Sequence, residues 1–215
     1  MKSLRLLKAA SYTKGFNCLA DCGTDHGKLP IYCVANSFVK KAYASDNKVG
    51  PIQNATNNIE EANLNGFVIP VLADGLTYLN PEVDVVSILG MGGRLIKSIL
   101  ENADLRAVKR LILIANSENI ILRDYLQSDW EIKFEELIKE RNKYYQLMVL
   151  EPGSMQLTEV EKEFGPLIIK EKAPAFKEMI NKNLKKLYKA FDQANSAESK
   201  ATINKRIKLL QEGIS

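Results

Sequence analysis

Asp21, Asp46 and Asp74 each close an apolar run, and each is followed within two residues by a glycine or asparagine that lets the backbone turn. Carboxylates repeated at strand ends repel phosphate and suit an amine, a cation or the paired hydroxyls of a ribose. Gly23, Thr24, Asp25, His26 and Gly27 follow the first acid, in a loop where the chain must bend sharply or approach a ligand closely. A helix starting near Lys28 would aim its unpaired N–H groups at whatever sits on that loop. Lys28 is followed by Leu29, so the Lys-Ser/Thr pair of a phosphate-binding loop is missing, as is the three-glycine dinucleotide fingerprint. The bland reading is an ordinary turn between a strand and a helix. A second glycine group, Gly90-Met91-Gly92-Gly93, follows another apolar run and would let carbonyls and amides reach a substrate without an intervening side chain.

The elements that must position these residues read as alternating strands and helices. A short amphipathic helix capped by Ser3 carries Leu4, Leu7 and Ala10 at helical spacing. Strands are expected at 16–21, 41–46, 68–73, 83–90 and 110–115, with helices at 28–38, 50–64, 94–102 and through Tyr125 and Leu126. Two further apolar runs, 130–138 and 144–150, are separated by a charged turn and read as a closing hairpin. The expected fold is α/β, a seven-stranded, mostly parallel sheet with an antiparallel edge strand. Its acids lie on the edge where open sheets of this class bind ligands. Asp46 sits where a ribose could offer two hydroxyls, or it could instead cap the helix that follows.

Pro152-Gly153 marks a boundary, giving an expected domain over 1–152 and a helical one over 153–215. In the second, Thr158 and Glu161 form a capping box, Gly165-Pro166 interrupts, and Pro174 opens a long helix. Phe176, Ile180, Leu184, Leu187 and Phe191, then Ile203, Ile207 and Leu210, form two seams that would bury each other as a helical hairpin or short coiled coil. Lys182, Lys185, Lys186 and Lys189 are left outward.

The chain has 215 residues and a net charge of +4. Residues 155–215 hold 12 Lys and Arg against 8 Asp and Glu, and the rest balance at 18 each, so the excess lies in the helical part. A basic appendage on a neutral domain suits a polyanionic partner, although a solvated lysine-rich helix would look the same. No apolar run approaches the ~20 residues of a membrane span. Cys18, Cys22 and Cys33 are too few and too clustered for a disulfide framework and suit a reducing cytoplasm. His26 is the only histidine, which excludes a two-histidine mechanism, and no metal is expected. A monomer is expected.

The acidic series and the hairpin finish resemble the Rossmann-like class I S-adenosyl-L-methionine-dependent methyltransferases. A nicotinamide enzyme competes, but its pyrophosphate would be repelled by Asp21. Four segments sharpen the resemblance: Ala20-Asp-Cys-Gly-Thr-Asp-His-Gly-Lys-Leu-Pro30, Ala44-Ser-Asp46, Ala73-Asp-Gly-Leu76 and Ile88-Leu-Gly-Met-Gly-Gly93. Together they are similar to the bacterial tRNA (adenine-22-N1) methyltransferase family, TrmK. Two departures fall on the substrate side. Ala115-Asn116-Ser117 stands where the family usually has a Gln-Pro-like pair, and Gly27-Lys28 replaces the small and aromatic residues more common after the histidine.

The resemblance implies methyl transfer from S-adenosyl-L-methionine to N1 of an adenine in the tRNA D-arm region. It assigns the cofactor to Asp21, Gly23, Thr24, Asp46, Asn47, Asp74, Gly75 and Gly90. The acceptor base falls to Met91, Gly92 and Gly93; the basic tail itself, through Lys182, Lys185, Lys186 and Lys189, is expected to contact tRNA phosphates without reading sequence. His26 and Asp25 are candidates for the pocket wall, a hydrogen bond to the base or proton removal; alternatively His26 only braces the loop. Two other readings stay open: transfer to a different acceptor, and an RNA-binding protein without catalysis.

Overall fold

Alternation of apolar strands with amphipathic helices produces a mostly parallel sheet here, because most strand-to-strand returns are made by a helix packed on a sheet face. The computed structural model describes residues 3–214. Its strands are β1 (Cys18–Cys22), β2 (Lys41–Asp46), β3 (Val68–Leu72), β4 (Val85–Gly92), β5 (Arg110–Ser117), β6 (Trp130–Glu140) and β7 (Lys143–Pro152). They lie in the order β3-β2-β1-β4-β5-β7-β6. β1 to β5 run parallel, and β7 is antiparallel to both β5 and β6, so the hairpin supplies the antiparallel pairing at that side of the sheet. Strand order reverses between β1 and β4, which opens a crevice at their C-terminal ends.

The helices are α1 (Leu4–Ser11), α2 (Lys28–Ala35), α3 (Val49–Glu61), α4 (Gly93–Glu101) and α5 (Asn119–Leu126), followed by α6 (Glu159–Phe164), α7 (Pro166–Glu171), α8 (Pro174–Gln193) and α9 (Ala197–Ile214). One face of the sheet buries Val86, Ile88, Leu111 and Leu113 against Ile96, Leu100 and Leu122 of α4 and α5. The other buries Leu19, Val85, Ile112 and Ile114 with Ala9 and Ala10 of α1 and Leu29 and Cys33 of α2. Buried Asp84 accepts the Asn17 and Cys18 backbone N–H groups and anchors the start of β1.

Three local expectations are corrected. Ser3 occupies the cap position of α1, but its hydroxyl donates to Glu140, and Glu140 itself accepts the Leu4 N–H at 2.6 Å. A carboxylate from the hairpin thus replaces the local cap. α2 ends at Ala35, and Ser37 has left-handed φ, so the helix stops short of Phe38. The fourth strand does not end at Gly90: Met91 and Gly92 continue β4 through register shifts that accommodate Gly90 at φ 87.

The C-terminal helices are fastened to the sheet. Arg123 of α5, wholly buried, donates to Glu135 of β6, to Gln146 of β7 and to the Lys162 and Glu163 carbonyls of α6. Glu135 in turn accepts the Leu167 N–H. Beyond this joint, Phe164, Ile168, Phe176, Ile180 and Leu210 form a separate apolar cluster. The Thr158–Glu161 capping box is present, and α8 and α9 pair as a hairpin.

Candidate active site and nucleic-acid face

β1 delivers Asp21 into the floor of the crevice. Its two carboxylate oxygens accept the Ser87 hydroxyl at 2.6 Å and the Thr24 hydroxyl at 2.7 Å. Burial pushes its pKa up to about 6, with the two hydroxyls opposing that shift. Above it the loop is tied to β2, because the Gly23 and Thr24 N–H groups both donate to the Ser45 carbonyl. Gly23 has φ 77, and a β-carbon there would meet the Met91 side chain at 2.1 Å, so this glycine brings the loop against the end of β4.

Asp25 follows at φ 55, a left-handed value that costs a non-glycine residue about 1–3 kcal/mol. Its carboxylate lies 3.3 Å from His26 Nε2 at the exposed rim. The His26 carbonyl accepts the Asn58 side chain of α3, so the backbone of this residue is braced and its ring is not.

Asp46 ends β2 and accepts the Lys48 N–H through Oδ1. Lys48 is itself the N-cap residue of α3, which has no side-chain cap, so Asp46 fixes the turn before the helix with one oxygen and leaves the other for a ligand. Ala73 donates to the Asp46 carbonyl, which draws the segment carrying Asp74 and Gly75 alongside. Asn47 and Asp74 are exposed, and Gly75 sits at φ 58 against Ile99 of α4. The expected cofactor residues Asp21, Gly23, Thr24, Asp46, Asn47, Asp74 and Gly75 thus share one end of the sheet, with Gly90 across the switch point.

The acceptor side is formed by the ends of β4 and β5. Asn116 donates to the Gly90 carbonyl at 2.5 Å. Gly92 faces Ser117 and Glu118, and Gly93 opens α4 so tightly that a β-carbon would come within 2.3 Å of the Glu118 carbonyl. Glu118 itself has φ 58 and pairs with Arg94. Arg5 reaches the same place from α1, its guanidinium 4.7 Å from the Tyr145 ring centre and 3.8 Å from where a Gly90 β-carbon would stand.

The four lysines of α8 separate. Lys182 and Lys186 line a groove that runs to Asn116, whereas Lys185 and Lys189 lie outside its lining and are exposed. Sequence reasoning missed Ser87, Ser45, Glu118 and Arg5. Asn116 carried a signal, since it stands in the segment that departs from the family pattern. Arg5 carried none, because only the fold brings it to Gly90. Among the described residues, no group of three or more His, Cys, Asp and Glu could hold a metal, and no helix is long and apolar enough to cross a membrane.

A mostly parallel sheet with carboxylates at three successive strand ends and a glycine-lined fourth defines a Rossmann-like methyltransferase fold. The family model for tRNA (adenine(22)-N(1))-methyltransferase, TrmK, matches residues 19–212, and the chain belongs to that family. It is 30% identical to the Bacillus subtilis (strain 168) tRNA (adenine(22)-N(1))-methyltransferase, over 97% of this chain and 92% of the relative. Among solved structures, Sp1610 of Streptococcus pneumoniae in complex with S-adenosyl-L-methionine matches with a TM-score of 0.93 and 35% identity, over the whole of both chains. TrmK of M. capricolum in complex with S-adenosyl-homocysteine matches with a TM-score of 0.88 and 31% identity, over 100% of this chain and 98% of that one.

Proposed function

We infer that the chain is a tRNA methyltransferase that uses S-adenosyl-L-methionine to methylate N1 of adenine 22. The observation that carries this reading is the carboxylate series at the ends of β1, β2 and β3, facing the glycine-lined end of β4, in a member of the TrmK family. The residues fit the cofactor. Asp46 keeps a carboxylate oxygen for a ribose diol, Asp74 and the Gly75 amide suit an adenine edge, and Asp21 supplies negative charge beneath the loop for an ammonium group. When bound, the cofactor supplies a methyl group on a sulfonium centre.

What this chain must do is position the acceptor. Adenine N1 attacks with its own lone pair, so orientation outweighs covalent help. The Gly90 carbonyl, held by Asn116, and the neighbouring backbone of Met91, Gly92 and Gly93 are suited to accept the exocyclic amine. Methylation leaves a positive charge on the base; Asp25, His26 and Glu118 stand at the rim to stabilise it or take up a proton. N1 lies on the pairing edge, so the base must be unpaired or flipped to react.

Residues 1–152 act as the catalytic domain and 153–215 as a basic helical grip, with Lys182, Lys185, Lys186 and Lys189 on tRNA phosphates. The test is incubation with labelled S-adenosyl-L-methionine and unmodified tRNA, followed by nucleoside analysis. The expected product is 1-methyladenosine at position 22, formed more slowly by Asp46→Ala when S-adenosyl-L-methionine is limiting. Cofactor binding without transfer to a folded tRNA would overturn the assigned acceptor.

A further inference from the structure

A groove of about 560 Å³ lies between α1, the β6–β7 turn and α8. Four cations line it, Arg5, Lys143, Lys182 and Lys186, interleaved with Tyr144 and Tyr145, and no carboxylate is among its lining residues as described. Neighbouring acids are already engaged: Glu140 holds the start of α1 and lies 3.7 Å from Arg5, and Glu178 pairs with Lys139 at 2.6 Å. Arg5 Nε is buried without a hydrogen-bond partner, while Lys182 lies 5.8 Å from the Tyr144 ring centre. At one end the groove reaches Asn116, whose side chain holds the Gly90 carbonyl.

We propose that this groove carries the sugar–phosphate strand of the tRNA that leads to the target adenine, joining the helical appendage to the methyl-transfer mouth. The proposal rests on the tRNA methyltransferase reading given above. Cations that follow a backbone, with aromatic rings on which bases can stack, form the usual grip on single-stranded nucleic acid. A base taken out of pairing requires such a locally single-stranded path beside it. The site combines recruited parts: α1 and the hairpin turn supply Arg5 and Lys143, and α8 supplies Lys182 and Lys186. A basic helix alone would not reach Gly90.

The experiment compares two charge-matched triple variants of the full chain, Lys143→Gln/Lys182→Gln/Lys186→Gln in the groove and Lys200→Gln/Lys205→Gln/Lys208→Gln on α9. Affinity for an unmodified tRNA transcript is measured across salt concentrations, alongside cofactor affinity and 1-methyladenosine formation. The groove variant should weaken tRNA binding by about tenfold or more and lower the magnitude of the salt slope by about 2. Its cofactor affinity should stay within about twofold of the wild type, and the α9 variant should keep most of its tRNA affinity. Equal losses in both variants, or none in the groove variant while the wild type methylates tRNA, would overturn the groove alone. A wild type that binds cofactor but forms no 1-methyladenosine would overturn the acceptor reading and the groove with it.

Discussion

At the ends of β1 and β2 the carboxylates are fixed by backbone and buried hydroxyls, whereas the ends of β4 and β5 open onto long cations, half-buried Arg5 of α1 and the exposed lysines of α8. Asp21 has both oxygens hydrogen-bonded and is 5% exposed, while Arg94 at the mouth and Lys182 on α8 face solvent. The difference follows from the ligands. A small cofactor rewards preorganisation within a few ångströms. A polyanion is held by many screened charges whose combined effect changes with salt.

The largest effect should come from breaking the joint that fastens the C-terminal helices, and with them the cations of α8, to the sheet. Arg123→Met leaves Glu135 buried without its cation and should cost about 3–5 kcal/mol in denaturant unfolding. Burial already raises the Glu135 pKa, opposed chiefly by the charge of Arg123, so the variant should also favour the neutral acid. An unchanged unfolding midpoint would mean that the joint contributes nothing to stability.

Asp21→Asn should weaken cofactor binding by about 100-fold, roughly 2.7 kcal/mol, as read by calorimetry. The same change should stabilise the ligand-free protein. A carboxyl raised to about 6 from 3.8 favours the protonated folded state, so its contribution is fully present below about pH 4 and lost as pH rises through 6. The amide escapes that loss, worth about 3 kcal/mol at pH 7. Variant and wild type should therefore diverge in stability between pH 4 and 7, and parallel curves would contradict the burial argument.

Asp46→Ala should raise the cofactor KM by about tenfold, with a smaller effect on kcat, in keeping with lost ground-state binding. The smallest effect is expected at the rim. His26→Ala keeps the carbonyl that Asn58 holds, and N1 attacks with its own lone pair, so kcat should fall less than about tenfold. A loss beyond about 100-fold would assign proton removal to the imidazole.

Much of the cofactor side was legible because its signals are local. Apolar runs ending in Asp21, Asp46 and Asp74 announce strand ends directly, and the glycines beside them mark turns. The Thr158–Glu161 box and the α8 seam were readable for the same reason, since capping and helical periodicity act over three or four residues. The acceptor side was less legible. The strand was expected to end at Gly90, because nothing local indicates that β5 would keep pairing with Met91 and Gly92 through register shifts.

Alternating strands and helices, acids at the strand ends, the family and the basic character of the C-terminal part are all written in the order of the residues. That Ser87 and Thr24 hold Asp21, that Glu140 caps α1, and that Arg5 reaches Gly90 follows from the folded arrangement alone. The fold also selects Lys182 and Lys186, among the lysines of α8, to line the groove that runs to the mouth. Periodicity constrains residues within one element, but contacts between residues distant in sequence depend on how the sheet orders its strands and which helix face packs against it.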